Sequence, residues 1–372
     1  MRPIEKALMH ALFHHLHHNI GKAIDFGKFK SLNAKANQLF PGLIVVGPDA
    51  DDDAGVVRLP GTDTCVVLKL ESHCSPCVAS PYDSAATGVG GAARDVIAMG
   101  GRPYAVLDFI GTRPLESKVL VGACGLVGDG ETCTCGNCVT MTSADRVNLM
   151  VQGVHDMCDA LGLGVAGGGF STSFSDIVPA LVASIMGVLV TKEPLTKPAK
   201  NPGDLIILVG ETGDDGNDTA YRAGFADVLR PAVALFAEER AVMEAVLAVF
   251  ETVPVNACSD LGAAGIGAAI CESMRKGGLG ARIDLSRAPL HAEASGITPE
   301  AILINETQGR FAFQVNPADA DKAVSVIQSK GVKAVVLGEV TDGDEVVFSY
   351  GDRVVAVIPN QPSEEALAEL AG

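Results

Sequence analysis

Short apolar runs punctuated by glycine recur along the chain: LIVVG at 43–47, TCVVLKL at 64–70, YAVLDFIG at 104–111 and LIILVG at 205–210. Runs of about four to eight Val-, Ile- and Leu-rich residues bounded by turn residues predict buried strands. Between them the apolar positions follow a helical period. Residues 1–40 read as helical, and SAATGVGGAARDVIAMG at 84–100 reads as a helix of small residues stopped by Gly100 and Gly101. With Gly and Ser near its opening, that helix has an N-terminus able to receive an anion. A further helix is expected at about 143–162, then a loop, GVAGGGFSTSFSD, and an apolar segment reaching Val190. After LIILVG come a loop (ETGDDGND), two helices up to about 250, a loop (NACSDLGAAG) and αβ alternation to about 358. Strands alternating with helices predict an α/β or α+β fold.

Two stretches interrupt the alternation. TKEPLTKPAKNPGD at 191–204 holds three Pro and three Lys and predicts a domain boundary. It divides an N-terminal domain over 1–192 from a C-terminal domain over 203–360, with a polar tail at 361–372. A length of 372 residues agrees with two domains of roughly 150 each. Residues 111–142 contain GACGLVGDGETCTCGNC, polar and rich in Gly and Cys, which reads as an insertion or a metal-clasped loop.

Composition narrows the function classes. Hydrophobic residues at 48% are ample for a core, which excludes a disordered chain. The net charge of −17, without any basic run, argues against a nucleic-acid partner. An acidic chain still binds nucleotides when Mg2+ bridges its carboxylates to phosphate. The longest apolar stretch, Ile177–Val190, is 14 residues and contains Pro179, so no membrane span is expected. The N-terminal segment lacks the apolar core and cleavage site of a signal peptide, so a cytoplasmic protein with reduced or metal-bound thiols is expected.

Several constellations could carry chemistry. In LKLESHCSPCVASPYDSAATGVGGAARD at 68–95, a strand ends in Lys69, Glu71 and His73, and a helix then offers Arg94 and Asp95. Phosphoryl transfer needs this mix of cations, carboxylates and a base, although a surface cluster looks the same. Acidic residues in Gly-rich loops suit Mg2+: Asp49, Asp51, Asp52 and Asp53, then Asp214 and Asp215, then Asp260. Singly, each is an ordinary turn residue. ILINETQGRF sets Glu306, Gln308 and Arg310 after an apolar strand, where they could read an amide or a sugar hydroxyl. Cys124, Cys133, Cys135 and Cys138 have spacing that fits Zn2+ or an iron–sulfur cluster, and Cys74 and Cys77 form a CxxC beside His73. A redox pair or inert thiols fit the same spacing. His10, His14 and His17 share a helix face, with His15 and His18 beside it, which suits a metal face or an exposed polar helix.

Taken together, DDDAGVV, LKLESHCSPCVASPYDSAATGVGGAARDVIAMGGRP, ETGDDGND, SDLGAAGIG and LINETQGRF resemble, in order, the motifs of the synthetase subunit of phosphoribosylformylglycinamidine synthase. That family belongs with aminoimidazole ribonucleotide synthetase, selenophosphate synthetase, thiamine-monophosphate kinase and the hydrogenase-maturation dehydratase. The resemblance implies a two-domain fold whose N-terminal sheet-and-helix domain pairs across a dimer and whose C-terminal domain is an α/β sandwich. It implies that Lys69, Asp53, Gly88 and Gly90 face ATP, that Glu71 holds one Mg2+ and Asp95 with Asp260 another, and that His73 is the general base. Ser72, Arg94, Glu306, Thr307 and Gln308 would hold substrate. The implied reaction phosphorylates an amide oxygen with ATP and lets a nitrogen, or a sulfur, nucleophile displace the phosphate. Small-molecule kinase activity and a non-catalytic nucleotide- or metal-binding role are the alternatives. A single copy of the unit implies a homodimer, and a partner protein would supply ammonia or sulfur. The sequence departs from the family pattern at Ser75, Asp214, Asn217 and Pro231, mostly on the substrate side.

Overall fold

The computed structural model describes residues 2–18, 26–48, 50, 52–74, 76–122, 138–173 and 180–361. The chain opens with two helices, α1 (Pro3–His18) and α2 (Phe26–Leu39), and strands β1 (Ile44–Val46), β2 (Gly55–Arg58) and β3 (Cys65–His73). A short helix α3 (Pro76–Ala79) leads into α4 (Pro81–Ala98), followed by β4 (Gly101–Gly111), β5 (Lys118–Val121), β6 (Val139–Thr142), α5 (Ser143–Leu161), β7 (Gly164–Ser171) and β8 (Ala180–Leu189). The second lobe contains β9 (Leu205–Val209), α6 (Asp218–Arg222), α7 (Phe236–Thr252), β10 (Ala257–Asp260), α8 (Gly265–Gly277) and β11 (Gly280–Asp284). It ends with α9 (Pro299–Ile304), β12 (Phe311–Val315), α10 (Pro317–Ser329), β13 (Ala334–Thr341), β14 (Glu345–Tyr350) and β15 (Arg353–Pro359).

The first sheet runs β1-β2-β3-β8-β4-β7 and the second β10-β12-β9-β13-β11-β14-β15. Pairing is antiparallel except at β4–β7 and β11–β14. The mixed α/β architecture expected from the alternation is therefore present. Period-two alternation in β3 turns Cys65, Val67, Lys69, Glu71 and His73 toward α4, and Leu68, Leu70 and Ser72 to the opposite face. No helix covers that face around Leu68, Leu70, Leu107 and Met186, which stay exposed among the described residues.

Three local expectations change. The helix expected from residue 84 begins at Pro81, because proline suits the first helical turn, and the Ser80 hydroxyl before it donates to Asp83. Gly88 and Gly90 consequently lie in the helix interior, where their N–H groups bond within the helix and cannot form an anion-binding terminus. The expected loop after residue 163 is instead strand β7, parallel to β4. Its glycines have steric causes, since a Cβ at Gly168 would stand 2.1 Å from Asp108 Oδ1 and one at Gly169 would stand 2.9 Å from the Phe109 ring. Likewise the expected loop NACSDLGAAG contains β10.

Candidate active site

A cleft of about 1110 Å³ lies between the two lobes. On one wall, β3 presents Lys69, Glu71 and His73 at alternate positions. Above it, α4 presents Ser84, Thr87, Gly88, Gly91, Arg94 and Asp95, positions three, four and seven apart that share one helix face. The second lobe adds Asp260 from the end of β10, Glu272 from α8, and Glu306 with Gln308 from the turn before β12. Lys6 and His10 of α1 line the rim, and Lys197 reaches in from the connection between the lobes.

Acid and base alternate at close range. Lys69 Nζ lies 2.8 Å from Asp95 Oδ2 and 3.2 Å from Glu71 Oε2, and donates to the Asp53 carbonyl at 3.0 Å. Lys197 Nζ lies 2.6 Å from Asp53 Oδ1 and 2.9 Å from Glu272 Oε2. The buried Arg94 guanidinium joins the lobes: it donates to Glu239 of α7, to Gln308 Oε1 at 2.6 Å and to Asp260 Oδ2 at 3.3 Å. Burial lowers the proton affinity of Lys69 and Arg94, yet their neighbouring carboxylates outweigh it and hold both firmly protonated.

Carboxylate oxygens of Asp53, Asp95 and Asp260 converge within 4.8 Å of one another. Desolvation pushes the Asp53 and Asp95 carboxyls up, and the charge of Asp260 adds to it. Asp53 Oδ2 is buried without a hydrogen-bond partner among the described residues. An all-oxygen set of three convergent carboxylates with a spare acceptor fits a hard divalent cation such as Mg2+. Asp53, expected to face ATP, thus joins the expected pair Asp95 and Asp260, while Glu71, outside that set of three, bonds to Lys69 and to Asp95.

His73 Nδ1 lies 2.6 Å from the Ser84 carbonyl, which can only accept, so Nδ1 carries the proton and Nε2 keeps its lone pair. Burial pushes the imidazole down from its ordinary value, leaving it neutral near pH 7. The Cys77 thiol donates to the His73 carbonyl at 3.1 Å, its sulfur lies 3.3 Å from Ser84 Oγ, and burial pushes it up to about 11. Cys74 is pushed up by burial as well. Both stay protonated thiols, which disfavours a reactive CxxC.

Other expected site residues fall elsewhere. Ser72 lies on the opposite face of β3 from His73. Thr307 is fully buried, accepting from the Gly213 N–H and donating to Asp215, and does not line the cleft. Gly90 faces Glu239 and Met157 in the interior, and Gly91 takes the cleft position. Glu306 does line the cleft, its carboxylate fixed by the Ala264 N–H at 3.0 Å and Thr219 Oγ1 at 2.5 Å. Ala264 adopts φ +54, a left-handed conformation costing roughly 1 kcal/mol, and this turns its N–H toward Glu306. Asn217 is a buried loop clamp on Arg230 and Val228, Asp214 pairs with Arg230, and Pro231 lines the cleft. Asp49, Asp51, Ser75, Cys124, Cys133 and Cys135 lie outside the described residues, as do the side chains of His14, His15, His17 and His18. Cys138 packs against Gly122, where a Cβ would meet its sulfur.

Lys197, Glu239 and Glu272 were not expected. Lys197 sits in a stretch that reads as a linker, and the two glutamates sit in ordinary amphipathic helices.

The profile of the AIR synthase related protein N-terminal domain matches residues 51–189, and that of its C-terminal domain matches 201–351. The chain belongs to the AIR synthase related family. It is 34% identical over 328 residues to phosphoribosylformylglycinamidine synthase subunit PurL of Methanopyrus kandleri, covering 85% of this chain and 41% of that protein. It also superposes on Thermotoga maritima PurL complexed with FGAR (TM-score 0.67, 29% identity, covering 83% of this chain and 47% of that one). The match to the same protein complexed with ATP has TM-score 0.66 and 28% identity, covering 85% and 46%. The Thermotoga protein is also found in a PurLQS structure, matched with TM-score 0.66 and 29% identity over 83% and 46%. The chain therefore spans less than half the length of the curated relatives it matches.

Proposed function

We propose that this chain is an ATP- and Mg2+-dependent ligase that forms a C–N bond on an amide of the FGAR type, with its two domains over 1–192 and 203–360. The observation that carries the reading is the meeting of two things in one cleft: the Asp53, Asp95 and Asp260 triad, and a neutral His73 with Nε2 free. The triad would hold Mg2+, which supplies charge neutralisation at the phosphates. Lys69 and Arg94 add fixed positive charge where charge develops in phosphoryl transfer. The substrate amide oxygen attacks the γ-phosphorus and ADP departs. Ammonia then adds to the activated carbon, His73 Nε2 takes the surplus proton, and inorganic phosphate leaves. Gln308, held by Arg94 and by the Glu306 carbonyl, and Glu306 itself contact substrate.

The open apolar face of the first sheet supports a homodimer, with Leu68, Leu70, Leu107 and Met186 meeting their counterparts. Ser72 on that face would then contact ligand only within the paired assembly. The PurLQS assembly supports a partner that delivers ammonia. No described helix is long and apolar enough to cross a membrane.

The test is phosphate release from ATP with Mg2+, FGAR and ammonium, each omitted in turn, for the wild type and His73→Gln. Release that requires all four components and His73 supports the reading. A product that retains the phosphate assigns a kinase instead, and ATP binding without turnover assigns a non-catalytic protein.

A further inference from the structure

The three carboxylates of the triad do not stand alone. Each is matched to one cation: Asp95 to Lys69, Asp260 to Arg94, and Asp53 to Lys197. Lys69 and Arg94 arise from β3 and α4, so their backbones are set by the first sheet and its helix. Lys197 has a different origin. It belongs to the segment joining the lobes, and its main chain is pinned on both sides. Its N–H donates to the Asp52 carboxylate at 3.1 Å, and its carbonyl accepts from Ser273 Oγ at 2.7 Å. Two residues on, the Ala199 N–H donates to the Ser273 carbonyl at 3.0 Å. With the backbone fixed, only the side chain can respond to a change in the cleft.

That side chain has two anchors of opposite character. Asp53 Oδ1, at 2.6 Å, belongs to the triad, and Glu272 Oε2, at 2.9 Å, does not. A divalent cation on the triad adds two positive charges beside Nζ, so the pairing with Asp53 becomes a repulsion. Glu272 keeps hold of the ammonium and retains it at the wall of the cleft. We propose that Lys197 is an exchangeable counter-ion of the triad: it occupies Asp53 when no metal is bound, yields it to the metal, and then offers its charge to the nucleotide phosphates. The inference rests on the reading of the cleft as a Mg2+–ATP site. It makes the lobe connection part of the binding machinery.

The reasoning fixes opposite signs for two measurements on one variant. In Lys197→Met the triad loses its competitor, so Mn2+ without nucleotide binds about tenfold tighter than to the wild type. ATP with saturating Mn2+ binds about tenfold weaker, because a phosphate-facing charge is gone. Glu272→Gln frees Lys197 to sit on Asp53 alone, so nucleotide-free Mn2+ binding weakens. Mn2+ affinity is read by electron paramagnetic resonance of the free ion, nucleotide affinity by calorimetry, and folding by thermal melting with and without Mn2+. The Lys197→Met melting temperature is expected to fall without metal and to rise more on Mn2+ addition than that of the wild type. Unchanged or weaker nucleotide-free Mn2+ binding in folded Lys197→Met overturns the inference, and so does tighter binding in Glu272→Gln. If Lys197→Met fails to fold, the sign of Glu272→Gln decides. Wild-type protein that binds Mn2+ but no ATP sinks the functional reading, while the contrast between the two variants still decides the role of Lys197 at the triad.

Discussion

Replacing Glu239 with alanine tests the link between the lobes. Arg94 is 2% exposed and Glu239 is 1% exposed, and they meet across the interface of α4 and α7. Removing one partner of a buried ion pair costs about 3–5 kcal/mol, because a charge is left without compensation. Here Arg94 keeps Asp260 and Gln308, so the lower end, about 3 kcal/mol, applies. At roughly 2.1 cal/mol/K of unfolding entropy per residue, the 372-residue chain has about 0.8 kcal/mol/K, so melting as one unit should shift by about 4 °C. Differential scanning calorimetry of Glu239→Ala measures the shift. Glu239→Gln, which keeps an oxygen to accept from Arg94 but drops the charge, should lose less than Glu239→Ala. An alanine variant melting within about 1 °C of the wild type, or a glutamine variant no better than the alanine one, would refute the reasoning.

Gly88→Ala places a Cβ 3.0 Å from His73 Cβ and 2.9 Å from Leu181 Cδ2. It should destabilise by about 1–3 kcal/mol and lower kcat with little change in the KM for ATP; the reverse pattern would mean that Gly88 touches the nucleotide. Cys77, with its thiol pushed up to about 11, should resist iodoacetamide in the folded protein from pH 7 to 9, with labelling rising only as pH approaches that value. Mass spectrometry of the modified peptide reads this, and ready labelling at pH 8 would contradict the buried, donating thiol. Leu70→Asp, on the uncovered face of β3, should shift the sedimentation of the native protein toward the monomer while leaving its melting temperature nearly unchanged at low concentration.

The cleft was legible in the sequence where one element carries several of its groups. Lys69, Glu71 and His73 alternate along a strand, and Arg94 with Asp95 follow on the next long helix, so local spacing alone aims them together. Groups that depend on long-range packing were not legible. Glu239 meets Arg94 across 145 positions of sequence, and nothing in its own helix marks it. Lys197 is one of three lysines in a proline-rich stretch and is singled out only by the carboxylates that surround it. Period-two reasoning missed β7 because glycine offers no polar or apolar signal, and its glycines answer to side chains of the neighbouring strand. Thr307 and Gln308 are adjacent in sequence, yet one turns into the loop and the other into the cleft, a difference set by backbone geometry at single-residue scale.

The docking of α1 bears on how the protein is made. Arg2 donates to the Val354 carbonyl, and Glu5 accepts from the Val357 N–H, contacts that span 352 residues. Leu8 of the same helix packs against α8. In chain order this helix comes long before both α8 and β15, so its apolar face, including Ile4, Leu8 and Met9, gains part of its cover from α8 and the rest only from β15. Contacts of such sequence separation form after the intervening loop has closed, which makes the seating of α1 at the cleft a late step of refolding.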